Sequence, residues 1–401
     1  MSVSIIVGDV HLGKGVSIGK PGIGNALNSR IVDQSRLLDW VLDQAEEHQA
    51  DTLIFTGDIY EEPRPDYRLV DLFVKFLKKC EVNNIETHII SGNHDIKRTG
   101  SHYTSVLDVI ASAEIPMTHI YKKITTINKD GVGFTLMPFR DRSSLGCKTN
   151  AEALNLIAGQ IPFEAATIPD ESDRVLVGHL AIDGSIFVGD ESDNMANELM
   201  CPLHMFMDYD YVWMGHVHKP QARSQKPYIA HIGSLDISDF GETDHVKNII
   251  IFDTSDPKRF KEIPVPSRPL RRVRFTVPVG FNPTEYVSNQ IKTMHEARSF
   301  KNAIVRIEVK LPDADVDNVD RSAVEKMVYG LGAFYICGFS ESRSVSVVPL
   351  SKQELMDNTI GPKDAVKLYA EQFEFKSDDA KSEYIRISHN IIEKYMCKTE
   401  K

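Results

Sequence analysis

A chain of 401 residues has room for one large domain and a smaller companion, and 42% hydrophobic with 26% charged residues is the composition of a soluble globular protein. The net charge of −11 leaves no overall basic footprint for nucleic acid, although a local basic face or bound divalent cations would offset the repulsion. No apolar run nears the ~20 residues that cross a bilayer, so no membrane partner is expected; five dispersed cysteines with no C-x-x-C predict reduced thiols in a cytoplasmic setting and no zinc ribbon.

The first segment, Ser2 to Val7, reads as a strand, and no secretory signal is expected. The apolar run Val3 to Val7 leads into Gly8-Asp9-Val10-His11. Gly13 to Ser29, rich in Gly, Ser and Asn, reads either as a mobile loop at the mouth of a site or as a surface insertion. Helical periodicity then runs from Arg30 to about Glu47, with Ile31, Leu37, Leu38, Val41 and Leu42 on the buried side. The run Thr52 to Phe55 leads into Thr56-Gly57-Asp58, and a second helix covers about Tyr67 to Cys80. Val70 and Val74 lie off its main stripe, which fits ordinary core packing or a second copy of the chain. The run Ile85 to Ile90 ends in Ser91-Gly92-Asn93-His94-Asp95.

This alternation of strand and helix predicts βαβ units. Tyr103 to Ala111 reads as a helix, Ile124 to Ile127 and Gly133 to Met137 as strands, and Asn150 to Gln160 as a helix. Arg174 to Val177 leads into Gly178-His179, and Tyr211 to Met214 into Gly215-His216-Val217-His218. Asp183 to Asn197 is a glycine- and acid-rich loop, and Tyr228 to Ile232 and Asn248 to Phe252 read as strands. A basic stretch follows, Lys258 to Arg274, that either contacts phosphates or is a solvated linker.

Beyond it, Leu270 to Val277, Asn302 to Lys310 and Phe334 to Val348 read as strands, and Val319 to Leu331 as a helix. Another helix starts at Asn282-Pro283-Thr284-Glu285, with an N-cap, proline at the first position and an acid at the third. That makes a small α+β domain of two βα repeats. The tail carries a capping box at Ser351-Lys352-Gln353-Glu354 and a last helix, about Asp379 to Met396, with Tyr384, Ile387, Ile391, Ile392 and Tyr395 on one face. The expected domains are 1–265, 266–348 and 349–401.

Five apolar runs thus end in a glycine followed at once by ligand-type side chains. Sites in open α/β sheets lie just outside the carboxyl ends of strands, and a two-residue spacing in extended backbone turns both side chains the same way. The expected metal ligands are Asp9, His11, Asp58, Asn93, His179, His216 and His218. Imidazoles with two carboxylates and one neutral amide suit a pair of borderline-hard divalent ions, manganese first and magnesium second, better than calcium or thiolate-bound zinc. Two such ions about 3.5–4 Å apart can hold a bridging hydroxide and stabilise both oxygens of a phosphoryl transfer. Asp58 is the natural bridge, and His94, beside a ligand but not needed as one, is the candidate to stabilise the pentavalent phosphate or protonate the leaving oxygen. His48, His88, His102, His119, His204, His231 and His245 lack this setting and read as structural.

Asp9-x-His11, Gly57-Asp58, Gly92-Asn93-His94-Asp95, Gly178-His179 and Gly215-His216-x-His218 resemble the calcineurin-like metallophosphoesterase superfamily. With Phe240-Gly241-Glu242 after Gly233-Ser234, the pattern over about the first 255 residues is similar to the SbcD / Mre-eleven nucleases of DNA double-strand-break repair. The resemblance implies a four-layer α/β domain of two packed mixed sheets flanked by helices, a small α+β DNA-capping domain and a C-terminal helical segment. It implies a two-manganese nuclease, 3′→5′ on duplex ends and endonucleolytic on single strands or hairpins. One ion would sit on Asp9, His11, Asp58 and His218, and the other on Asp58, Asn93, His179 and His216. The partners implied are DNA, a second copy of the chain, and an SbcC-type coiled-coil ATPase gripping Asp379 to Met396. Relatives often carry His three residues after the bridging aspartate, where this chain has Glu61; a carboxylate there can orient His94 or a water but cannot donate as an imidazolium. The competing readings are another phosphoesterase of the superfamily, acting on phosphoproteins or small diesters, and a non-catalytic protein that binds DNA ends.

Overall fold

The computed structural model describes residues 3–99, 102–188, 199–256, 258–312, 317–343, 362–371, 375 and 377–396. Two six-stranded mixed sheets stack face to face, and helices cover both outer faces. In the first sheet Val3–Val7, Thr52–Phe55, Glu86–Ile90 and Thr118–Tyr121 run parallel. Asn248–Asp253 joins antiparallel beside Val3–Val7, with Phe260–Pro264 at the edge. In the second, Tyr228–His231, Tyr211–Met214, Asp173–Gly178 and Val132–Met137 run parallel between antiparallel edges Gln221–Gln225 and Thr125–Lys129.

The two-residue period of a strand explains the four layers. Ile6, Ile54 and Ile90 face the second sheet and meet Val175, Val177 and Trp213 in a core between the sheets. Their neighbours Ile5, Val7, Leu53 and Phe55 face outward, onto Leu37, Leu38 and Val41 of helix Ser29–Glu47 and Leu69, Phe73 and Phe76 of helix Tyr67–Val82. On the far side, Leu176, Val212 and Met214 pack on Ala153, Ile157 and Ile161 of helix Asn150–Ala165. Strands apolar on both faces belong in such a doubly covered sandwich. Val70 and Val74 are partly buried against the first outer core, so ordinary packing accounts for them.

Three parallel strands, Leu270–Thr276, Ile304–Leu311 and Tyr335–Arg343, form a separate sheet with helices Pro283–Ala297 and Arg321–Gly330. Val273, Phe275, Val287, Ile291, Ile307 and Val324 give it a core of its own. Asn282 caps the first helix as its sequence predicts, accepting from Glu285 N at 3.1 Å. The chain divides into two compact units, Met1–Arg343 and Ser344–Lys401. In the second, helices Pro362–Glu371 and Asp378–Met396 are described, with His389 Nε2 at 3.0 Å from the carbonyl of Lys363. Tyr384, Ile387 and Ile391 of the expected stripe are exposed.

Several expectations need correction. Tyr103 to Ala111 is not one helix: His102–Ser105 pairs antiparallel with Ile96–Thr99, and the helix starts only at Val106. Ser105 and Asp108 form a capping box there, which ends the extended segment at Ser105. The strand Thr118–Tyr121 and the helix Pro362–Glu371 were not foreseen.

Much of the basic stretch is structured and engaged rather than a solvated linker. Phe260–Pro264 is an edge strand, Arg272 and Arg274 pair with Glu308, and Arg268 is buried. Arg268 grips Asp33 with two nitrogens, both at 2.7 Å, tying the start of the small sheet to helix Ser29–Glu47. The capping box at 351–354, the end of the strand expected to Val348, and the acidic loop beyond Val188 lie outside the described residues.

Candidate metal centre

All five ligand-bearing strand ends meet at one edge of the sandwich. Three come from the first sheet (Val3–Val7, Thr52–Phe55, Glu86–Ile90) and two from the second (Asp173–Gly178, Tyr211–Met214). The loops that follow are packed too tightly for side chains at their glycines. A Cβ on Gly92 would lie 2.0 Å from Asp58 Oδ1, and one on Gly215 would lie 2.3 Å from Asp9 Oδ1. His11, Asp58 and His216 also sit in the left-handed backbone region, with φ of 48°, 46° and 78°. Three non-glycine residues held there mark strain concentrated at a functional site.

The side chains converge as donors of lone pairs. Asn93 Oδ1 lies 3.0 Å from His179 Nε2 and 2.9 Å from His216 Nδ1. His179 Nδ1 donates to the carbonyl of Thr56 at 2.7 Å, so Nε2 of a neutral ring offers only a lone pair. That nitrogen faces Asp58 Oδ2 at 3.3 Å as well as Asn93 Oδ1. On the other side of Asp58, His11 Nε2 lies 3.5 Å from Oδ2 and 2.8 Å from His218 Nε2. Lone pairs facing each other in a buried site call for a cation among them. Three overlapping groups fit one: Asp9 with His11 and His218, His11 with Asp58 and His94, and Asp9 with Asp58 and His179. The seven expected ligands and His94 thus lie together at one candidate metal site.

The electrostatics agree. Burial draws the His179 pKa down, but Asp58 and Asp9 outweigh it and push it up to about 10. The field at that nitrogen demands positive charge, which a proton or a metal ion can satisfy. Burial holds His11 below the ordinary imidazole range, the neutral form a ligand needs. Asp9, His11, Asp58, His179 and His218 are buried, whereas Asn93, His94 and His216 are half-buried and form the open side.

A second layer, mostly missed from sequence, fixes these ligands. Asp9 accepts from Thr56 Oγ1 at 2.9 Å and from His216 N at 2.7 Å. Asp95 accepts from Ile59 N, Tyr60 N and Gly92 N, stitching the Asp58 loop to the Asn93 loop; burial and nearby Asp58 push its carboxyl up to about 7. Gln34, from a helix, bonds the main chain at His11, Gly13 and Lys14, so the start of the Gly13 to Ser29 segment is pinned. Glu242 lies 3.3 Å from His218 Nδ1 and 2.8 Å from buried Lys247 Nζ. Such a carboxylate behind a ligating imidazole sets its tautomer and orientation. Of these groups, Thr56, Asp95 and Glu242 stand inside quoted motifs; Gln34 and Lys247 carry no signal in the sequence.

The Glu61 carboxylate, read as able to orient His94 or a water, bonds Lys14 Nζ at 3.1 Å and lies 2.8 Å from His11 Nδ1. Burial pushes that carboxyl up, yet His11 and Lys14 outweigh it and bring it down to about 2. His94 is held instead by main chain: its Nδ1 donates to the Glu61 carbonyl at 2.7 Å and its N to Asp58 Oδ1 at 2.8 Å.

Comparison with known proteins agrees with this geometry. A curated relative from Staphylococcus epidermidis, the SbcD component of the SbcCD nuclease, is 28% identical over 63% of this chain and 68% of its own. The protein of the same name from Staphylococcus saprophyticus is 24% identical over the same shares. A solved dimetal phosphatase from Danio rerio overlaps 66% of this chain and 98% of its own at 10% identity with a TM-score of 0.36, too loose a match to carry weight. The family model for calcineurin-like phosphoesterases matches residues 4–220, which span all seven ligand positions, and the chain belongs to that family of metal-dependent phosphoester hydrolases.

Proposed function

We propose that this protein is the nuclease component of an SbcCD-like DNA end-processing complex. The observation that carries the reading is the convergence of Asp9, His11, Asp58, Asn93, His179, His216 and His218 at one edge of the sandwich, in a chain whose curated relatives are SbcD components of the SbcCD nuclease. Asp9, His11, Asp58 and His218 would hold one divalent ion and Asp58, Asn93, His179 and His216 the other, with manganese the preferred metal and magnesium the alternative. When bound, the ions supply Lewis acidity to the phosphate and a nucleophile at neutral pH.

The protein's own groups do the rest. Asp58, gripped by His94 N, is held where both halves of the ligand set reach it. His94 Nδ1 is committed to the Glu61 carbonyl, so Nε2 is the atom left to stabilise the phosphate or protonate the leaving oxygen. Glu61 supports the reaction through His11 and Lys14 rather than as an acid. We assign 1–265 as the nuclease domain, 266–348 as the DNA-capping domain and 349–401 as the segment that binds the ATPase partner, with the exposed Tyr384, Ile387 and Ile391 as its contact stripe. A homodimer acting 3′→5′ on duplex ends and as an endonuclease on single strands and hairpins is the form this reading takes.

The test is digestion of an end-labelled duplex by wild type and His94→Gln, with manganese or with chelator. Manganese-dependent shortening from the 3′ end, lost in His94→Gln, is expected. Hydrolysis of a phosphoserine peptide or a small diester, with no DNA cleaved at any metal concentration, would replace the nuclease by another phosphoesterase of the family.

A further inference from the structure

Beside the metal centre lies a cavity of ≈ 360 Å³ whose lining includes Asn93, Tyr103, Lys122, Lys123, Phe139 and Arg140. That volume falls in the range of small-ligand clefts, roughly 300–1,000 Å³. Phe139 is the wall it shares with the ligands. Its N donates to the Ser91 carbonyl at 2.8 Å, and its ring centroid is 6.1 Å from His179 and 5.9 Å from His216. Tyr103, 38% exposed, adds a second ring, its hydroxyl 3.4 Å from Asp141 Oδ1.

The charges around the cavity are unequal in availability. Lys122 pairs with Asp108, and Arg140 donates to the carbonyls of Phe139 and Lys122. Asp141 also accepts from Ser144 N at 2.6 Å, so its carboxylate is engaged from two sides. Lys123 is exposed and has no acidic partner among the described residues. The cavity therefore offers two aromatic faces, two carboxylates already engaged and a cationic rim, and it opens at a ligand of the metal centre.

We propose that this cavity receives the unpaired nucleotide next to the scissile phosphodiester, its base against Phe139 and Tyr103 and a flanking phosphate on Lys123. The inference rests on the nuclease reading and deepens it, because it names which nucleic-acid structure the centre accepts. Aromatic faces bind any base through its π-surface, so the subsite is tolerant of sequence. A cavity of ≈ 360 Å³ matches one nucleotide rather than a pair, so the strand we assign to it is single or frayed where its phosphate reaches Asn93. The energy of unstacking is smallest for mismatched or single-stranded bases, and that difference becomes the selectivity of the site.

The experiment uses the full chain with manganese and compares three substrates. These are a single-stranded oligonucleotide, the same oligonucleotide with one abasic residue placed stepwise along it, and bis(p-nitrophenyl) phosphate. One abasic position next to the cleaved bond is expected to slow cleavage there about tenfold, the scale of one lost base–aromatic contact. Tyr103→Ala should lower the oligonucleotide-to-bis(p-nitrophenyl) phosphate ratio of kcat/KM about tenfold, and Tyr103→Phe should restore it. Lys123→Ala should reduce the slope of log affinity against log salt by about one, measured by anisotropy on the chelated protein with a labelled oligonucleotide. Equal losses on both substrates would make the cavity a support for the metal centre and overturn the proposal, as would indifference to every abasic position. Turnover of bis(p-nitrophenyl) phosphate with no cleavage of any oligonucleotide would instead overturn the nuclease reading, and this inference with it.

Discussion

Glu61 holds His94 through its main chain: the Glu61 carbonyl oxygen accepts from His94 Nδ1 at 2.7 Å, while the Glu61 carboxylate lies 2.8 Å from His11 Nδ1. One residue thus positions two imidazoles by two different atoms, and only one of those atoms is removed by substitution.

Glu61→Ala should therefore keep His94 in place and loosen His11. We expect its manganese affinity to fall about 10–100-fold, the usual effect of losing a group behind a ligand. At saturating manganese its kcat should fall less than tenfold, whereas His94→Gln should lose on the order of 10²–10⁴ in kcat, the range for a positioned proton donor. Metal titrations of the rate separate the two effects. If Glu61→Ala at saturating manganese is as inactive as Asp58→Ala, the carboxylate touches the reaction itself.

Gly92→Ala and Gly159→Ala should move in opposite directions. A methyl at Gly92 meets Asp58 Oδ1 at 2.0 Å, so the Asp58 carboxylate must shift and manganese binding should fail in calorimetry. Gly159 lies inside helix Asn150–Ala165 with nothing within 4 Å of a new Cβ. Alanine there should raise stability by about 1 kcal/mol in urea unfolding, through helix propensity alone. Loss of stability in Gly159→Ala would contradict this account of the helix.

The buried Arg268–Asp33–Arg30–Asp236 chain predicts a ranking. Asp33 serves two guanidinium groups, Arg268 at 2.7 Å and Arg30 at 3.1 Å, and Arg30 also reaches Asp236. Asp33→Ala strips Arg268 of its acidic partner and leaves Arg30 with Asp236 alone, while Arg268→Ala strands no cation, since Asp33 keeps Arg30. Both should be destabilising, Asp33→Ala by about 3–5 kcal/mol and Arg268→Ala by less. Equilibrium unfolding of the two variants decides the order, and the reverse order would refute the assignment of Asp33 as the hub.

His88 predicts a stability loss in mild acid. Burial brings its pKa down to about 4 from the ordinary 6.5, against the opposing pull of Glu86. The folded state refuses a proton that the unfolded state accepts, so stability is full above 6.5 and is lost progressively as pH falls from 6.5 toward 4. The whole effect is on the order of 3 kcal/mol. Urea unfolding of chelated protein between pH 7.5 and pH 5 should show this decline in wild type and a smaller one in His88→Gln. Equal declines would place the acid sensitivity elsewhere.

The parts legible beforehand were those with local signatures. Each ligand-bearing strand end announced itself by an apolar run, a glycine and a ligand-type side chain, and helices Ser29–Glu47, Tyr67–Val82 and Pro283–Ala297 by their stripes or caps. Tyr103 was misread because its helix signal begins at Ser105, while the residues before it take their conformation from the hairpin partner at Ile96–Thr99. Within the Lys258 to Arg274 stretch, charge counted along the chain says nothing of where each partner lies. Asp33, 235 residues from Arg268, turns an apparent phosphate contact into a buried clamp.

The sequence by itself determined the chemistry available to this protein: which side chains can bind metal, and at which strand ends they stand. That follows from periodicity and short spacings, which are properties of neighbouring residues. Only the tertiary structure decided how those side chains work together. Stacking the two sheets brought His179 and His216 of one against Asn93 and Asp58 of the other, and placed Glu242 behind His218. It also gave Glu61 to His11 and left His94 to a carbonyl. Contacts between residues far apart in the chain depend on packing free energy summed over the whole core, and no local pattern encodes them.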